Sequence, residues 1–354
     1  MRNPSRAVLL GPLLKGVSRS FYLTLRVLPV GMRDPIGLAY LLARAADTIA
    51  DTSLISPKQR LELLLSLRKL VNGAPDDGTL TQRLAQEVAG QQSLADEKVL
   101  LESLGGALTV LSQLSDPDRD AVRGIVTTLT QGMEFDLHTF PDESSGRIAA
   151  LSTLEELDTY TYLVAGCVGE FWTRMTYAHM PGTLTGEPET TLANGVRFGK
   201  ALQMTNVLRD CSKDLRIGRC YLPVPMLDRY GLTPEDLLKP GASLRSQPLL
   251  FELLRLTLDH YRAAVDYTFA IPALSVRLRL SCLWPVLIGL ETLVLLVNND
   301  DWLDPAKISK IGRNKVYRIV AGSTLLEPSN RMLRAWTDRL IARIDARLNR
   351  QEIS

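Results

Sequence analysis

The sequence contains few of the residues that build several common kinds of site. Its three histidines are scattered and its four cysteines form no CxxC pair, so neither a zinc site nor a disulfide framework is indicated. Such cysteine usage is typical of a reducing compartment. The net charge of +2 provides no field that would attract nucleic acid, and no GxGxxG motif for a dinucleotide is present. We therefore expect no nucleic-acid partner and no Rossmann-type cofactor site.

Signals for secretion and for membrane insertion are also missing. The first apolar run is short and is interrupted by Pro12 and Lys15, so no signal peptide is predicted. The most apolar stretch, residues 282–297, is shorter than the roughly 20 residues that span a bilayer, and we expect a buried helix there. The arginine-rich residues 333–354 should form an outer amphipathic helix exposed to solvent, with peripheral membrane contact as the alternative. A cytoplasmic location without a transmembrane anchor is predicted.

Helical patterns dominate the chain, and strand signals are nearly absent. Helices are predicted at residues 37–51, 57–71, 94–114, 116–138, 154–175, 195–214, 247–270, 275–297 and 327–348, with a further helix start at Thr233. Loops are predicted at residues 74–79, 181–190 and 215–225. No repeat, low-complexity linker or charge block marks a boundary, so an all-α fold in a single domain over residues 1–354 is predicted.

A polar stripe runs along one side of the helix predicted at 195–214. Gly199, Gln203, Asn206, Asp210 and Asp214 follow one another at steps of three or four residues, which return to the same side of a helix. Most of the remaining circumference is apolar, so this helix should be buried. Its acidic stripe would then face a cavity rather than bulk water.

The helix predicted at 37–51 repeats this arrangement. Arg44, Asp47 and Asp51 share one side with Tyr40, and apolar residues surround them. Two carboxylates one helical turn apart repel each other and need a counter-charge. A single DxxxD is usually a solvated surface feature, but here two occur on apolar helices, each with an arginine (Arg44 and Arg209) in the same turn.

These oxygen ligands suit a hard divalent cation. Mg²⁺ keeps several waters and is typically held by one or two carboxylates and by substrate phosphates, and Mn²⁺ is an alternative. The predicted metal ligands are Asp47, Asp51, Asn206, Asp210 and Asp214. The two acidic surfaces are expected to face each other across a pocket that holds metal and diphosphate. Arg44 and Arg209 are candidate diphosphate ligands because a guanidinium fits phosphate oxygens, and a local ion pair with the neighbouring aspartate is the alternative for each.

Four sequence blocks resemble those of the squalene/phytoene synthase family, the head-to-head prenyl synthases. They are SRSF at 18–21, Arg44 with DTIAD at 47–51, YTYLVAGCVG at 160–169, and QMTNVLRDCSKD at 203–214 followed by GRCYLP. The blocks keep the family's order, and the resemblance covers about residues 15–320. It implies a magnesium-dependent prenyltransferase with an isoprenoid-synthase-type helical bundle around a central cavity.

The resemblance also implies roles for particular residues. Ser18, Arg19 and Ser20 would contact diphosphate, Tyr160 would assist proton transfer near the reacting carbons, Gln203 would lie in the pocket, and Val164 and Val168 would line a lipid tunnel. The four aspartates would be catalytic through the metal. Apart from the resemblance, the loop at 215–225 follows the second acidic pair directly, so we interpret it as a lid that carries the candidate substrate ligands Arg219 and Tyr221, with Arg216. Gly166 and Gly169 indicate either close helix contact or space for a prenyl chain.

The family divides at the step after two allylic diphosphates have been joined into a cyclopropyl diphosphate. Residues 298–320 resemble the squalene-type segment, so NADPH is an expected cofactor, and Lys307, Lys310, Arg313 and Lys315 are its candidate ligands; a solvated basic loop is the alternative. We predict a squalene synthase acting on farnesyl diphosphate, with peripheral membrane contact as a route for product release. Because Ser281 occupies a position where squalene synthases tend to have an aromatic residue, phytoene, dehydrosqualene or hydroxysqualene synthesis without NADPH stays open. A non-catalytic helical assembly protein is the hypothesis from another class, and the presence of all four aspartates disfavours it.

Overall fold

The computed structural model describes residues 4–18, 22–52, 55–75, 78–91 and 95–350. The chain divides into two compact units, Met1–His138 and Thr139–Ser354. Each unit is helical, which confirms the predicted all-α class. The assignment of the whole chain to a single domain stays a prediction.

The first unit is built around one long helix, α4, which lies against α5, α7 and α8. Its helices are α1 (Arg6–Val8), α2 (Leu14–Ser18), α3 (Tyr22–Arg26), α4 (Val30–Asp51), α5 (Pro57–Val71), α6 (Thr79–Arg83), α7 (Ala95–Glu102), α8 (Leu104–Ser112) and α9 (Asp116–Thr139). The helix α5 begins at the predicted residue because Ser56 and Gln59 form a capping box and Pro57 occupies the first position. It also ends at the predicted residue, where Asn72 is the C-cap and Gly73 follows with a positive φ. The apolar side of α4 is buried along its length. The acidic residues therefore lie on the opposite side of this helix.

The second unit is organised around α12, which contacts α10, α11, α15 and α16. Its helices are α10 (Leu154–Thr161), α11 (Cys167–His179), α12 (Pro188–Asp214), α13 (Val224–Arg229), α14 (Ala242–Arg245), α15 (Gln247–Phe269), α16 (Val276–Leu296), α17 (Arg313–Leu326) and α18 (Asn330–Asn349). A π-helical turn, Tyr162–Gly166, joins α10 to α11, so the predicted helix is continuous but locally wider. The four cysteines are buried and free.

The segment predicted as a loop and lid, residues 215–225, is firmly held within its unit. In the described part of the chain, the sole sheet pairs β1 (Ala149–Ala150) with β2 (Arg219–Cys220) in parallel. Cys220 and Leu222 are fully buried, and the amide of Val224 donates to the carbonyl of Leu151. The predicted loop therefore contains a 3₁₀ turn, the two-residue strand β2 and the start of α13, and apolar side chains and backbone hydrogen bonds anchor it. Its role as a lid stays a prediction.

Other helix boundaries also differ from the prediction. The helix predicted at 94–114 breaks at Ser103 into α7 and α8. The start at Thr233 leads only to a 3₁₀ turn, Glu235–Leu238, although Thr233 and Asp236 do bond each other as in a helix cap. The helix α17 was missed because it buries only Ile319 and Ser323, which leaves little apolar periodicity to detect.

The two segments considered for membrane contact have their apolar sides inside the protein. Among the described helices, Val276–Leu296 is long and apolar enough to cross a membrane by length and composition, but 83% of its most apolar window is buried inside the protein. In α18, the leucines at 333, 340 and 348 are at most 2% exposed, so its apolar side packs inward and its arginines face outward. Both segments therefore have the buried or outer-helix character expected from the sequence.

Candidate functional site

The acidic turn of the first unit lies at the end of α4. The guanidinium of Arg44 donates hydrogen bonds to Asp47 and to Glu97 of α7. Burial, followed by the charge of Asp51 one turn away, raises the pKa of Asp47 to about 6. The Arg44 guanidinium thus neutralises only part of the negative charge gathered here.

The acidic turn of the second unit lies at the end of α12. The guanidinium of Arg209 donates two hydrogen bonds to the carboxylate of Asp210. Its Nε lies 3.0 Å from one carboxylate oxygen, and a terminal nitrogen lies 2.5 Å from the other. Burial, followed by the charge of Asp210, raises the pKa of Asp214 to about 6. The local ion pair considered for Arg209 is therefore formed, and so is the one considered for Arg44.

The donor atoms of both turns fit a divalent cation of the magnesium type. Each turn offers two carboxylates that repel each other, and a cation between them would remove that repulsion. Across the described residues, no group of three or more His, Cys, Asp or Glu side chains gathers in a metal-binding arrangement. A cation held by one turn would consequently need further oxygen ligands from water or phosphate, which Mg²⁺ readily uses. The facing of the two turns across a pocket stays a prediction.

A chain of hydrogen bonds leads along the polar stripe of α12 to Tyr160. The amide of Asn206 donates to the Oε1 of Gln203 at 3.3 Å, and the Nε2 of Gln203 donates to the hydroxyl of Tyr160, also at 3.3 Å. The ring of Tyr160 is buried and stacks on Tyr221 with 4.7 Å between centroids, and Phe140 meets Tyr221 edge-on. The structure thus places Tyr160, Gln203, Asn206 and Tyr221 together, as one group inside the second unit.

Glycines let α12 approach the α10–α11 helix at backbone distance. A Cβ on Gly169 would lie 1.8 Å from the carbonyl oxygen of Gly195, and one on Gly199 would lie 2.0 Å from that of Ala165. The close helix contact that the glycines indicated is therefore present. Val164 and Val168 lie half-buried in this region, on either side of the junction between the π-helical turn and α11. Their role in a lipid tunnel stays a prediction.

Two further candidates have partners that the sequence did not indicate. Arg219 is half-buried and pairs with Glu143 at 3.4 Å. The hydroxyl of Ser18 is buried and donates to the carbonyl of Leu14 in its own helix. Arg19 and Ser20 lie outside the described residues, and so their predicted diphosphate contacts stay untested.

The basic segment predicted to hold a cofactor is only partly a solvated loop. Lys315 lies in the first turn of α17 and pairs at 2.8 Å with Glu291, a buried carboxylate of α16. Lys307 pairs with Asp301 at 2.6 Å, whereas Lys310 and Arg313 are exposed. Lys315 therefore has a structural partner whatever else it binds.

Sequence reasoning missed Glu97, Phe140 and Glu143. Each touches a predicted site residue, namely Arg44, Tyr221 and Arg219 respectively. Glu97 and Glu143 lie more than fifty residues from their partners along the chain, and Phe140 lies outside every recognised sequence block. No local spacing signal could have linked them.

The all-α fold, with arginine-partnered aspartate pairs at the ends of two helices, is the arrangement that the resemblance to head-to-head prenyl synthases implied. The family model described as squalene/phytoene synthase matches residues 14–313, and the chain belongs to this family, whose members are prenyltransferases. The family membership that the sequence blocks indicated is thereby confirmed.

Curated relatives carry names from both branches of the family. A bifunctional lycopene cyclase/phytoene synthase of Pyrenophora tritici-repentis is 29% identical over 91% of this chain and 49% of its own length. The squalene synthase ERG9 of Candida albicans is 27% identical over 89% of this chain and 66% of its own length. The chain thus spans about half the length of the first relative and about two thirds of the second.

Solved structures agree on the fold. The chain resembles TcSQS in complex with the ligand E5700 at a TM-score of 0.74 and 24% identity, covering 97% of this chain and 96% of that one. It resembles a dehydrosqualene synthase in complex with a ligand at a TM-score of 0.63 and 20% identity, covering 92% and 97%. At these identities the likeness shows the fold alone.

Proposed function

We propose that the protein is a squalene synthase that joins two molecules of farnesyl diphosphate head to head into presqualene diphosphate and reduces this product to squalene with NADPH. The observation that carries the proposal is the pair of arginine-partnered acidic turns, Asp47/Asp51 and Asp210/Asp214. Departure of diphosphate from an allylic carbon develops several negative charges that must be neutralised. Bound Mg²⁺ supplies that neutralisation as a Lewis acid.

The protein's own residues bind and orient the substrate. In the first unit Asp47 and Asp51 would hold Mg²⁺, and in the second unit Asp210 and Asp214 would do so with the carbonyl of Asn206; Mn²⁺ is a substitute. Arg44 and Arg209 exchange their aspartate partners for diphosphate oxygens, which a guanidinium binds in a fork. Arg219, Ser18, Arg19 and Ser20 add diphosphate contacts.

Tyr160 supports the chemistry at the reacting carbons. Gln203 fixes its hydroxyl at 3.3 Å, and stacking on Tyr221 fixes its ring. A tyrosine held in this way can transfer a proton or stabilise a developing cation. Val164 and Val168 contribute to an apolar slot in which about fifteen carbons gain at most ~12 kcal/mol, at ~0.8 kcal/mol for each CH₂. The slot also keeps water from the carbocation.

A second candidate is a phytoene- or dehydrosqualene-type synthase that needs no nicotinamide. Two observations favour it. The phytoene synthase relative matches 91% of this chain, and Ser281 is a small buried residue whose hydroxyl donates to the carbonyl of Leu278. The two proposals differ in their need for NADPH. Its candidate ligands are Lys307, Lys310, Arg313 and Lys315.

The test is incubation with farnesyl diphosphate and Mg²⁺, with and without NADPH, followed by analysis of the lipid product. Squalene formed only with NADPH supports the proposal. A conjugated or hydroxylated product that forms equally well without NADPH establishes the second candidate. Replacing the exposed Lys310 and Arg313 by alanine should raise the KM for NADPH, whereas Lys69→Ala, an exposed lysine of α5, should not.

A further inference from the structure

Four helix ends meet at one end of the second unit, which we call the α15–α18 end. Arg279, at the start of α16, is fully buried and donates to the Oδ1 of Asn330 at the start of α18. It also faces Glu327, just after α17, at 3.9 Å. Its guanidinium lies 5.0 Å from the ring of Phe269, the last residue of α15, and Arg334 covers the same ring at 4.3 Å. The contacts of the buried Arg279 with residues at the ends of α15, α17 and α18 hold these helix ends in fixed positions.

Apolar side chains project from this end into solvent. Leu274, in the turn between α15 and α16, is 97% exposed, and Leu325, in the last turn of α17, is 82% exposed. Met332, in the first turn of α18, is 53% exposed, and Val276 is 40% exposed. Scattered apolar residues are common on surfaces, but here four come from helix ends that Arg279 holds together. Burying these four side chains would stabilise the protein by about 25 cal/mol for every Å² of apolar surface removed from water.

The exposed charges nearest in sequence to these side chains are arginines, and the first exposed acids along the same helices are Asp266 in α15 and Asp338 in α18. From Tyr267 to Leu290 the only charged residues are Arg277 and Arg279. From Val316 to Thr337 the only acid is Glu327, which is 3% exposed and faces Arg279. Arg277, Arg331 and Arg334 are exposed. The nearby Thr185 bonds the carbonyl of Ala270, and the acid closest to it in sequence, Glu187, caps α12 by accepting from the amide of Thr190.

We propose that the α15–α18 end docks on an anionic lipid surface. Leu274 and Leu325 enter the boundary between head groups and acyl chains, and the three arginines bind lipid phosphates. The geometry favours lipid over a second copy of the chain because the leucines project singly from turns and helix ends instead of forming one flat apolar face. The contact lies at the start of α18 and not along its length, where the apolar side is buried. This inference does not depend on which product the enzyme makes.

The experiment is co-sedimentation of the full-length protein with vesicles of phosphatidylcholine alone or mixed with phosphatidylglycerol. We expect binding to the anionic vesicles that weakens as salt is added. The double variant Leu274→Ser/Leu325→Ser should bind about ten-fold more weakly or worse, because it lacks two inserting side chains. The matched control is Leu244→Ser, which changes a leucine of α14 that is 70% exposed and should bind like the parent protein.

A second variant tests the electrostatic part independently. Arg277→Gln/Arg331→Gln should weaken binding to anionic vesicles by about five-fold for each arginine and reduce its salt dependence. All these positions are exposed, so the melting temperatures should match that of the parent protein. The proposal is overturned if the parent protein binds neither vesicle, or if the leucine double variant binds as well as the parent. It is also overturned if sedimentation shows a dimer that this variant abolishes, since a second copy would then cover this end.

Discussion

Replacing Gly169 by alanine tests the closest helix contact of the second unit. The new methyl carbon would lie 1.8 Å from the carbonyl oxygen of Gly195 and 2.6 Å from its carbon. Non-bonded heavy atoms settle at roughly 3.5 Å, so α11 and α12 would have to part by about 1.7 Å. Both contacting atoms belong to helix backbone, which cannot rotate away as a flexible side chain could. The substitution therefore acts as overpacking of a core.

We expect a loss of about 3 kcal/mol, the upper end of the usual range for overpacking. For a chain of 354 residues with an unfolding entropy of about 2.1 cal/mol/K per residue, the midpoint of thermal unfolding should fall by roughly 4 °C. Activity should fall as well, because parting these helices disturbs the 3.3 Å bond between Gln203 and Tyr160.

The matched control is Gly124→Ala in α9, where a Cβ would meet nothing within 4 Å. Alanine there should stabilise its helix by up to about 1 kcal/mol, so the two substitutions should shift the midpoint in opposite directions. Calorimetry or circular dichroism measures both variants. A Gly169→Ala protein as stable as its parent would refute the backbone contact and, with it, our account of why glycine occurs at this position.

Three further predictions concern activity and pH. Asp210→Asn should lower turnover by on the order of 10²-fold while the fold persists; full turnover would show that Asp210 holds no metal that the reaction needs, whereas a parent protein without any turnover would favour the non-catalytic assembly protein. Tyr160→Phe and Gln203→Leu should each lower kcat, and the double variant should lose less than the product of the two effects, because they break the same hydrogen bond; fully multiplicative losses would show that the two residues act separately. Burial, then the charge of Arg197, lowers the pKa of His260 to about 4, so the unfolded chain, at an ordinary pKa of about 6.5, takes up the proton first as the pH falls. Stability present above pH 6.5 should therefore be lost between about pH 6.5 and 4, and melting curves of His260→Asn should show a weaker loss in that window.

Local chemistry made parts of the fold predictable from the sequence. The start of α5 follows from its capping box, and the apolar side of α4 places Arg44, Asp47 and Asp51 on one surface. The C-terminal end of α12 was predicted at its observed position, Asp214. In these cases the deciding interactions lie within a few residues of one another, so spacing alone reveals them.

The remaining features depend on contacts between distant residues. The partner of Arg44 in α7, Glu97, and the strand pair that anchors residues 215–225 have no local signal. The break at Ser103 and the shortness of the turn after Thr233 likewise contradict favourable local patterns. Tertiary contacts override weak helix propensities at such points. The site residues were thus predictable as side chains on helices, while the partners that restrain them were not.

The stripe on α12 combines two functions in a fixed order along the helix. Gly199 comes first, where the absence of a side chain admits the carbonyl of Ala165. One turn later Gln203 reaches Tyr160 on the same neighbouring helix, and Asn206 follows by bonding Gln203. A side chain at position 199 would push the two helices apart, and the amide of Gln203 would then fail to reach the tyrosine hydroxyl. The glycine is therefore as necessary to the geometry of the polar group as the residues that form its hydrogen bonds, which explains why small and polar residues share one side of an otherwise apolar helix.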